Sequence, residues 1–134
     1  MFVPSAWSID VLSQLYGRVT ELRRAWYGAR PHRVRQLDRP VISVGNVVLG
    51  GSGKTPVVAA IVKLLAAAGE RPAILSRGYG HREAADGVVV VSDGERLLAS
   101  AGQSGDEPYM LAQSLQGVPV FVCPDRYLAG RLAE

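Results

Sequence analysis

Gly53-Lys54-Thr55 is the tripeptide with the clearest chemistry in the chain. A lysine and a hydroxyl residue after a run of glycines suit a nucleoside polyphosphate. The lysine reaches the β- and γ-phosphates, and the hydroxyl helps to hold Mg²⁺. The glycines form a cradle, because they tolerate positive φ and let backbone N–H groups close around phosphate oxygens. The candidate ATP-binding stretch is Val48-Leu49-Gly50-Gly51-Ser52-Gly53-Lys54-Thr55. It departs from the strict G-x-x-x-x-G-K-[ST] pattern at its first position, where Val48 stands for glycine. Gly50 and Gly51 serve the turn two residues later. Lys63 is the chain's other lysine, and arginine carries the positive charge elsewhere.

Asp106 and Glu107 form the second candidate, at the start of a predicted helix. Adjacent acids there have a simple structural use, since they complement the positive end of the helix dipole. Beside a phosphate loop they also have a chemical one. One carboxylate can take the proton of an acceptor hydroxyl while the other supports Mg²⁺. Arg77, in "LSRGYG", lies at the carboxyl end of a predicted strand, where open parallel sheets bind ligands. It can pair with phosphate, with Gly78 and Gly80 allowing close approach, or simply be a basic loop residue. His32 and His81 lack the clustered ligands of a metal site. Cys123, in the apolar run "VPVFVC", reads as a buried structural thiol, and a single cysteine forms no internal disulfide.

These residues need elements to hold them. "PVISVGNVV" from Pro40 reads as a buried strand leading into the glycine-rich turn. A helix follows from Thr55 to Ala68, stopped by Gly69. "RPAILSRGYG" is a second strand, and "GVVVVSDG" a third, hairpinned to "RLLAS". Then come the helix "DEPYMLAQSLQ", the strand "VPVFVC" and the helix "DRYLAGRLAE". Strands alternating with helices predict an α/β domain with a largely parallel sheet. The last helix has neither a cap nor a closing strand after it, so the domain reads as incomplete at its C-terminal end.

Ahead of this lies a different segment. Residues 8–28 predict a helix, with Ser8 as cap and Asp10 in the first turn. Leu12, Leu15, Val19, Leu22 and Trp26 recur at spacings of three and four and form one apolar stripe. Gly17 weakens the case for one unbroken helix. Arg18, Glu21, Arg23 and Arg24 lie largely off the stripe, and Trp7, Trp26 and Tyr27 sit near its ends. The pattern fits first a helix packed on its own domain or a partner, and alternatively one lying in a membrane surface. Residues 29–39, with Pro31 and several arginines, read as a basic connector.

The net charge of +3 is unevenly spread: residues 1–40 carry seven arginines against Asp10, Glu21 and Asp38. Such a basic leading segment suits an anionic partner. No nucleic-acid motif accompanies the arginines, so no nucleic-acid partner is expected. An apolar content of 48% is enough for a packed core. The chain contains no uninterrupted run of about 18 apolar residues that would span a bilayer. Asp10 and the lack of a preceding basic region argue against a secretory signal.

In order, "PVISVGNVVLGGSGKTPVV", "LSRGYG", "GDEPYMLA" and "GVPVFVCPDR" resemble the N-terminal part of the tetraacyldisaccharide 4'-kinase family, over nearly the whole chain. The family's loop also lacks the first glycine of the strict pattern. The resemblance implies a phosphate-loop NTPase-like fold and an ATP- and Mg²⁺-dependent kinase of lipid A biosynthesis. Its acceptor would be the 4'-hydroxyl of an acylated disaccharide 1-phosphate.

Carried over by motif, Lys54 would bind the β/γ-phosphates and Thr55 would help hold Mg²⁺. Asp106 would act as base or orienting carboxylate, Glu107 would support the metal, and Arg77 would be a weaker phosphate or substrate contact. A membrane-borne substrate turns the reading of residues 1–28 towards an amphipathic membrane-surface helix, peripheral to the cytoplasmic face of the bacterial inner membrane. Residues 40–134 then form the N-terminal part of the kinase domain. Family members continue into a D-D-G-x-Q-H signature that is absent here, so the isolated chain is expected to have little or no kinase activity. The competing readings are a phosphate-loop NTPase acting on a soluble substrate and a non-catalytic nucleotide-dependent module.

Overall fold

The computed structural model describes residues 6–30, 34–45, 53–78 and 87–134, with the side chains of 6–13 and 15 left aside. The chain divides into two compact units, Met1–Gln36 and Leu37–Glu134.

The first unit carries helix α1, Ala6–Gly28. It starts two residues ahead of the predicted Ser8 cap, so Ser8 lies inside it and no acid stands in its first turn. Gly17 does not interrupt it, because the 23-residue helix has several turns on each side over which to offset one glycine. Tyr16, Val19, Leu22, Trp26 and Tyr27 are all exposed. Near the helix end, Arg23 stacks over Tyr27 at 5.7 Å and Arg30 over Trp26 at 4.7 Å. Trp26 and Tyr27 meet edge to face, 5.0 Å between centroids. Among the described residues, no helix is long and apolar enough to cross a membrane.

The second unit is a three-layer α/β arrangement. Its helices are α2 (Lys54–Ala67), α3 (Ala101–Ser104), α4 (Asp106–Ser114) and α5 (Arg126–Ala133). Its strands are β1 (Ile74–Ser76), β2 (Val89–Asp93) and β3 (Pro119–Val122), in the sheet order β1-β3-β2. β1 runs parallel to β3, with Ile74 opposite Val120. β2 runs antiparallel to β3, with Val89 opposite Val122. Among the described residues the sheet is therefore mixed rather than largely parallel. β2 lies at an edge and folds back on itself: the Leu98 N–H donates to the Val91 carbonyl at 2.9 Å. The predicted hairpin is thus present, although "RLLAS" contributes a single bridge, Ser92 to Leu97, rather than a strand.

The hairpin turn has a local cause. Asp93 Oδ1 accepts from the backbone N–H groups of Glu95 and Arg96, at 2.8 and 2.7 Å. The same bonds, that from Arg96 foremost, hold the Asp93 carboxyl below the ordinary aspartate value of 3.8. Gly94 has φ +99°, and a Cβ there would lie 3.2 Å from the Gly117 carbonyl carbon. Only glycine fits both demands.

Alternation along the strands builds two cores, one on each face. Ile74, Val91, Val120 and Val122 pack with Val58, Ala59 and Val62 of α2 and with Tyr109, Leu111, Ala112 and Leu115 from the α4 segment. Leu75, Val90 and Phe121 face the other way, with Cys123 and with Ala129 of α5. Cys123 is buried and unpaired, as its apolar run suggested.

The predicted strand over "PVISVGNVV" is not formed in residues 40–45, and its remainder lies outside the described residues. Val41 and Ile42 are 65% and 60% exposed. A buried parallel strand needs cover on both faces, and among the described residues nothing provides it here. The second predicted strand is also shorter, limited to Ile74–Ser76.

Candidate active site

The loop that precedes Gly53 lies outside the described residues, including Val48, Leu49, Gly50, Gly51 and Ser52. From Gly53 onward the arrangement is explicit. Gly53, at φ 71°, ψ 24°, is the N-cap of α2, and no side chain caps the helix. The left-handed turn sends the chain straight into Lys54 and Thr55 as the first two helical residues. Pro56 follows in the first turn, where a missing N–H costs nothing. Among the described residues, the first N–H groups of α2 have no capping side chain, and with the positive end of the helix dipole they suit a phosphate. Its other end is closed by Gly69, at φ +84°. The Gly69 and Glu70 N–H groups donate to the carbonyls of Ala66 and Leu65, each at 3.0 Å.

α4 begins in a similar way. Its N-cap is Gly105, it has no side-chain cap, and Asp106, Glu107 and Pro108 form its first turn. Gly105 sits at φ 91°, ψ 155°, a region that essentially only glycine populates. The sequence reading missed what leads into it. Ser100 caps the short α3, with Gln103 completing a reciprocal capping box. That S-x-x-Q signal was legible in "SAGQ". Ser104, fully buried, donates its hydroxyl to the Ser100 carbonyl at 2.9 Å. α3 thus turns into α4 through one glycine, and the turn aims the two acids.

The predicted Asp106–Glu107 pair and the predicted Lys54–Thr55 pair come together. Thr55 Oγ1 donates to Glu107 Oε1 across 52 residues of sequence. Their helices share one core, Val58 and Val62 of α2 with Leu111 and Ala112 of α4. Asp106 precedes Glu107 in the same turn and is exposed. Arg77 is exposed just beyond the carboxyl end of β1, followed by Gly78 at φ +68°. Among the described residues, Arg77 makes no hydrogen bond or ion pair with any of the other four. Gly80, His32 and His81 lie outside the described residues. The Thr55 hydroxyl and the Glu107 carboxylate are hard oxygen donors in contact, a donor set that suits Mg²⁺.

Substituting Gly105 tests this geometry. Gly105→Ala is expected to destabilise the unit by about 1–3 kcal/mol, the usual cost of forcing a side chain into such backbone. Chemical denaturation should show the lowered midpoint. A variant as stable as the parent would mean that the corner is not strained for alanine.

A glycine-capped Lys-Thr helix start, set beside an acidic helix start on an α/β sheet, defines a phosphate-loop protein of the kinase type. More narrowly, the chain belongs to the tetraacyldisaccharide-1-P 4'-kinase (LpxK) family, whose sequence profile matches residues 5–134. The tetraacyldisaccharide 4'-kinase of Geobacter metallireducens is 50% identical over 127 residues, covering 94% of this chain and 37% of the relative. That of Geobacter sulfurreducens is 49% identical over 125 residues, covering 93% and 35%. Among solved structures, LpxK from Aquifex aeolicus, an "apo" form in complex with ATP, superposes with a TM-score of 0.79 at 40% identity. That match covers 94% of this chain and 39% of the other. The chain spans little more than a third of the length of the curated relatives it matches.

Proposed function

We propose that this chain is the nucleotide-binding part of an ATP-dependent kinase. The enzyme transfers the γ-phosphate to the 4'-hydroxyl of a tetraacyldisaccharide 1-phosphate in lipid A biosynthesis. The observation that carries this reading is the junction of Thr55 and Glu107, which joins the phosphate-loop helix to the acidic helix. Family membership supports the choice of acceptor.

In this reading the α2 N-terminus and Lys54 hold the β- and γ-phosphates, while Thr55 and Glu107 are the residues that would hold Mg²⁺. Bound Mg²⁺ neutralises charge on the two phosphates. Asp106 accepts the proton of the 4'-hydroxyl as its oxygen bonds to the γ-phosphorus. The bond to the β–γ bridging oxygen breaks and ADP leaves. Arg77 is a weaker contact, with phosphate or substrate. The exposed aromatic residues and arginines of α1 support an amphipathic, membrane-surface role for residues 1–28, peripheral to the cytoplasmic face of the inner membrane. There the arginines meet anionic headgroups and the rings lie at the interface.

Two experiments test the reading. The chain should replace the matching N-terminal third of the Geobacter metallireducens relative and support transfer from ATP to tetraacyldisaccharide 1-phosphate. A stable graft that binds ATP and transfers nothing would reject the kinase assignment. In flotation with vesicles containing anionic lipid, the full chain should rise and a chain lacking residues 1–28 should not, with added salt weakening the association. Equal flotation of the two would remove α1 from the membrane role and favour a soluble substrate.

A further inference from the structure

The bond between Thr55 and Glu107 has a direction, and the direction matters. A hydroxyl has one proton to donate and lone pairs to share, while an ionised carboxylate only accepts. With its proton given to Glu107 Oε1, Thr55 Oγ1 has its lone pairs left for a cation at the loop. A neutral acceptor could orient the hydroxyl in the same way but would add no charge. The two helices that bring these atoms together are fixed by a shared core rather than by surface contact alone. At both helix starts the preceding glycine has positive φ, backbone that glycine adopts without strain.

We propose that Glu107 is a positioning residue acting through Thr55, and that their bond is the link by which Mg·ATP at the loop sets the first turn of α4. Glu107 keeps the Thr55 hydroxyl oriented before nucleotide arrives. When the cation is bound, the same carboxylate faces it, and the backbone turn that carries Asp106 is drawn into register. Coupling of this kind is reciprocal: whatever loosens the start of α4 also weakens binding at Thr55. The nucleotide half of this inference rests on the ATP-binding function proposed above, whereas the bond itself does not.

Backbone amide NMR of the full ¹⁵N-labelled chain separates the two halves. Without ligand, Thr55→Val removes the donor and should shift the Glu107 and Tyr109 amides, and Thr55→Ser should restore them towards their original positions. With Mg²⁺ and ATP, amides in the first turns of both α2 and α4 should move in the parent chain. In Glu107→Gln the α2 amides should respond only at higher Mg²⁺ and ATP concentrations, and the α4 response should be lost even there. Unchanged α4 amides in Thr55→Val, or a full α4 response in Glu107→Gln, would overturn the proposal. If Thr55→Val does not fold, the Thr55 amide of ligand-free Glu107→Ala, which removes the acceptor, decides the bond: a shift supports it and no shift refutes it. A separate titration with fluorescent ATP reports whether nucleotide binds at all. Failure there rejects the nucleotide reading, and with it the coupling, while the ligand-free arm still judges the bond.

Discussion

Lys54→Ala is expected to weaken ATP binding by the chain roughly 10- to 100-fold, which calorimetry or a fluorescent-nucleotide titration would measure. Hydrogen bonds to charged groups contribute about 1.5–3 kcal/mol each, and about 1.4 kcal/mol corresponds to a factor of ten in Kd. In phosphoryl transfer the loss should be larger, on the order of 10²–10³-fold in turnover, because charge on the transferring group is stabilised by fixed partners. The graft into the Geobacter relative supplies that assay. Lys54 is the first residue of α2 after its glycine cap and makes no ion pair among the described residues, so the fold should survive its removal. An unchanged Kd together with unchanged turnover would mean that the loop does not seat the phosphates through this lysine.

Leu111→Ala is expected to cost about 2–5 kcal/mol, the usual loss for truncating a buried leucine. Leu111 is 5% exposed, on the face of α4 that meets Val62, Val120 and Val122. α4 has only nine residues, too few to be stable as an isolated helix. Its existence therefore depends on this docking. Total stabilities of about 5–15 kcal/mol leave little room for such a loss. Denaturant unfolding should show a much lower midpoint, and ATP binding should weaken as Glu107 loses its place beside Thr55. Met110, the preceding residue, is 53% exposed. Met110→Ala should change stability by no more than about 0.5 kcal/mol, the range of an ordinary surface substitution. Equal effects at the two positions would mean that α4 is not held by this face.

How much was legible in advance differs from one element to the next. α2 was readable at both ends, since Gly53 and Gly69 mark backbone that only glycine adopts easily. β3 and the burial of Cys123 followed from the short apolar run between Gly117 and Pro124. The Asp106–Glu107 helix start was readable as well, although a capping role and a catalytic role both fitted it. What failed, over residues 40–45, was the strand expected at "PVISVGNVV". Its apolar residues describe a propensity for burial, but burial requires neighbours, and Val41 and Ile42 have none among the described residues. The parallel sense of the sheet failed for a related reason. Apolar runs reveal that strands will be buried but not which way an edge strand runs, and β2 runs antiparallel to β3. The start of α1 was misplaced because a serine two residues into a helix looks locally like a cap.

The residue types of the candidate site were legible in the sequence. Lysine and threonine after glycines, and two adjacent acids after another glycine, specify phosphate and cation chemistry through their functional groups and local backbone. Their order along the chain already carried the likeness to the kinase family. The tertiary structure decided that the two motifs meet. Thr55 and Glu107 lie 52 residues apart, and no local rule brings them together. They meet because α2 and α4 bury their apolar faces against the same side of one sheet, and hydrophobic burial, which has no sequence direction, fixes where each helix begins.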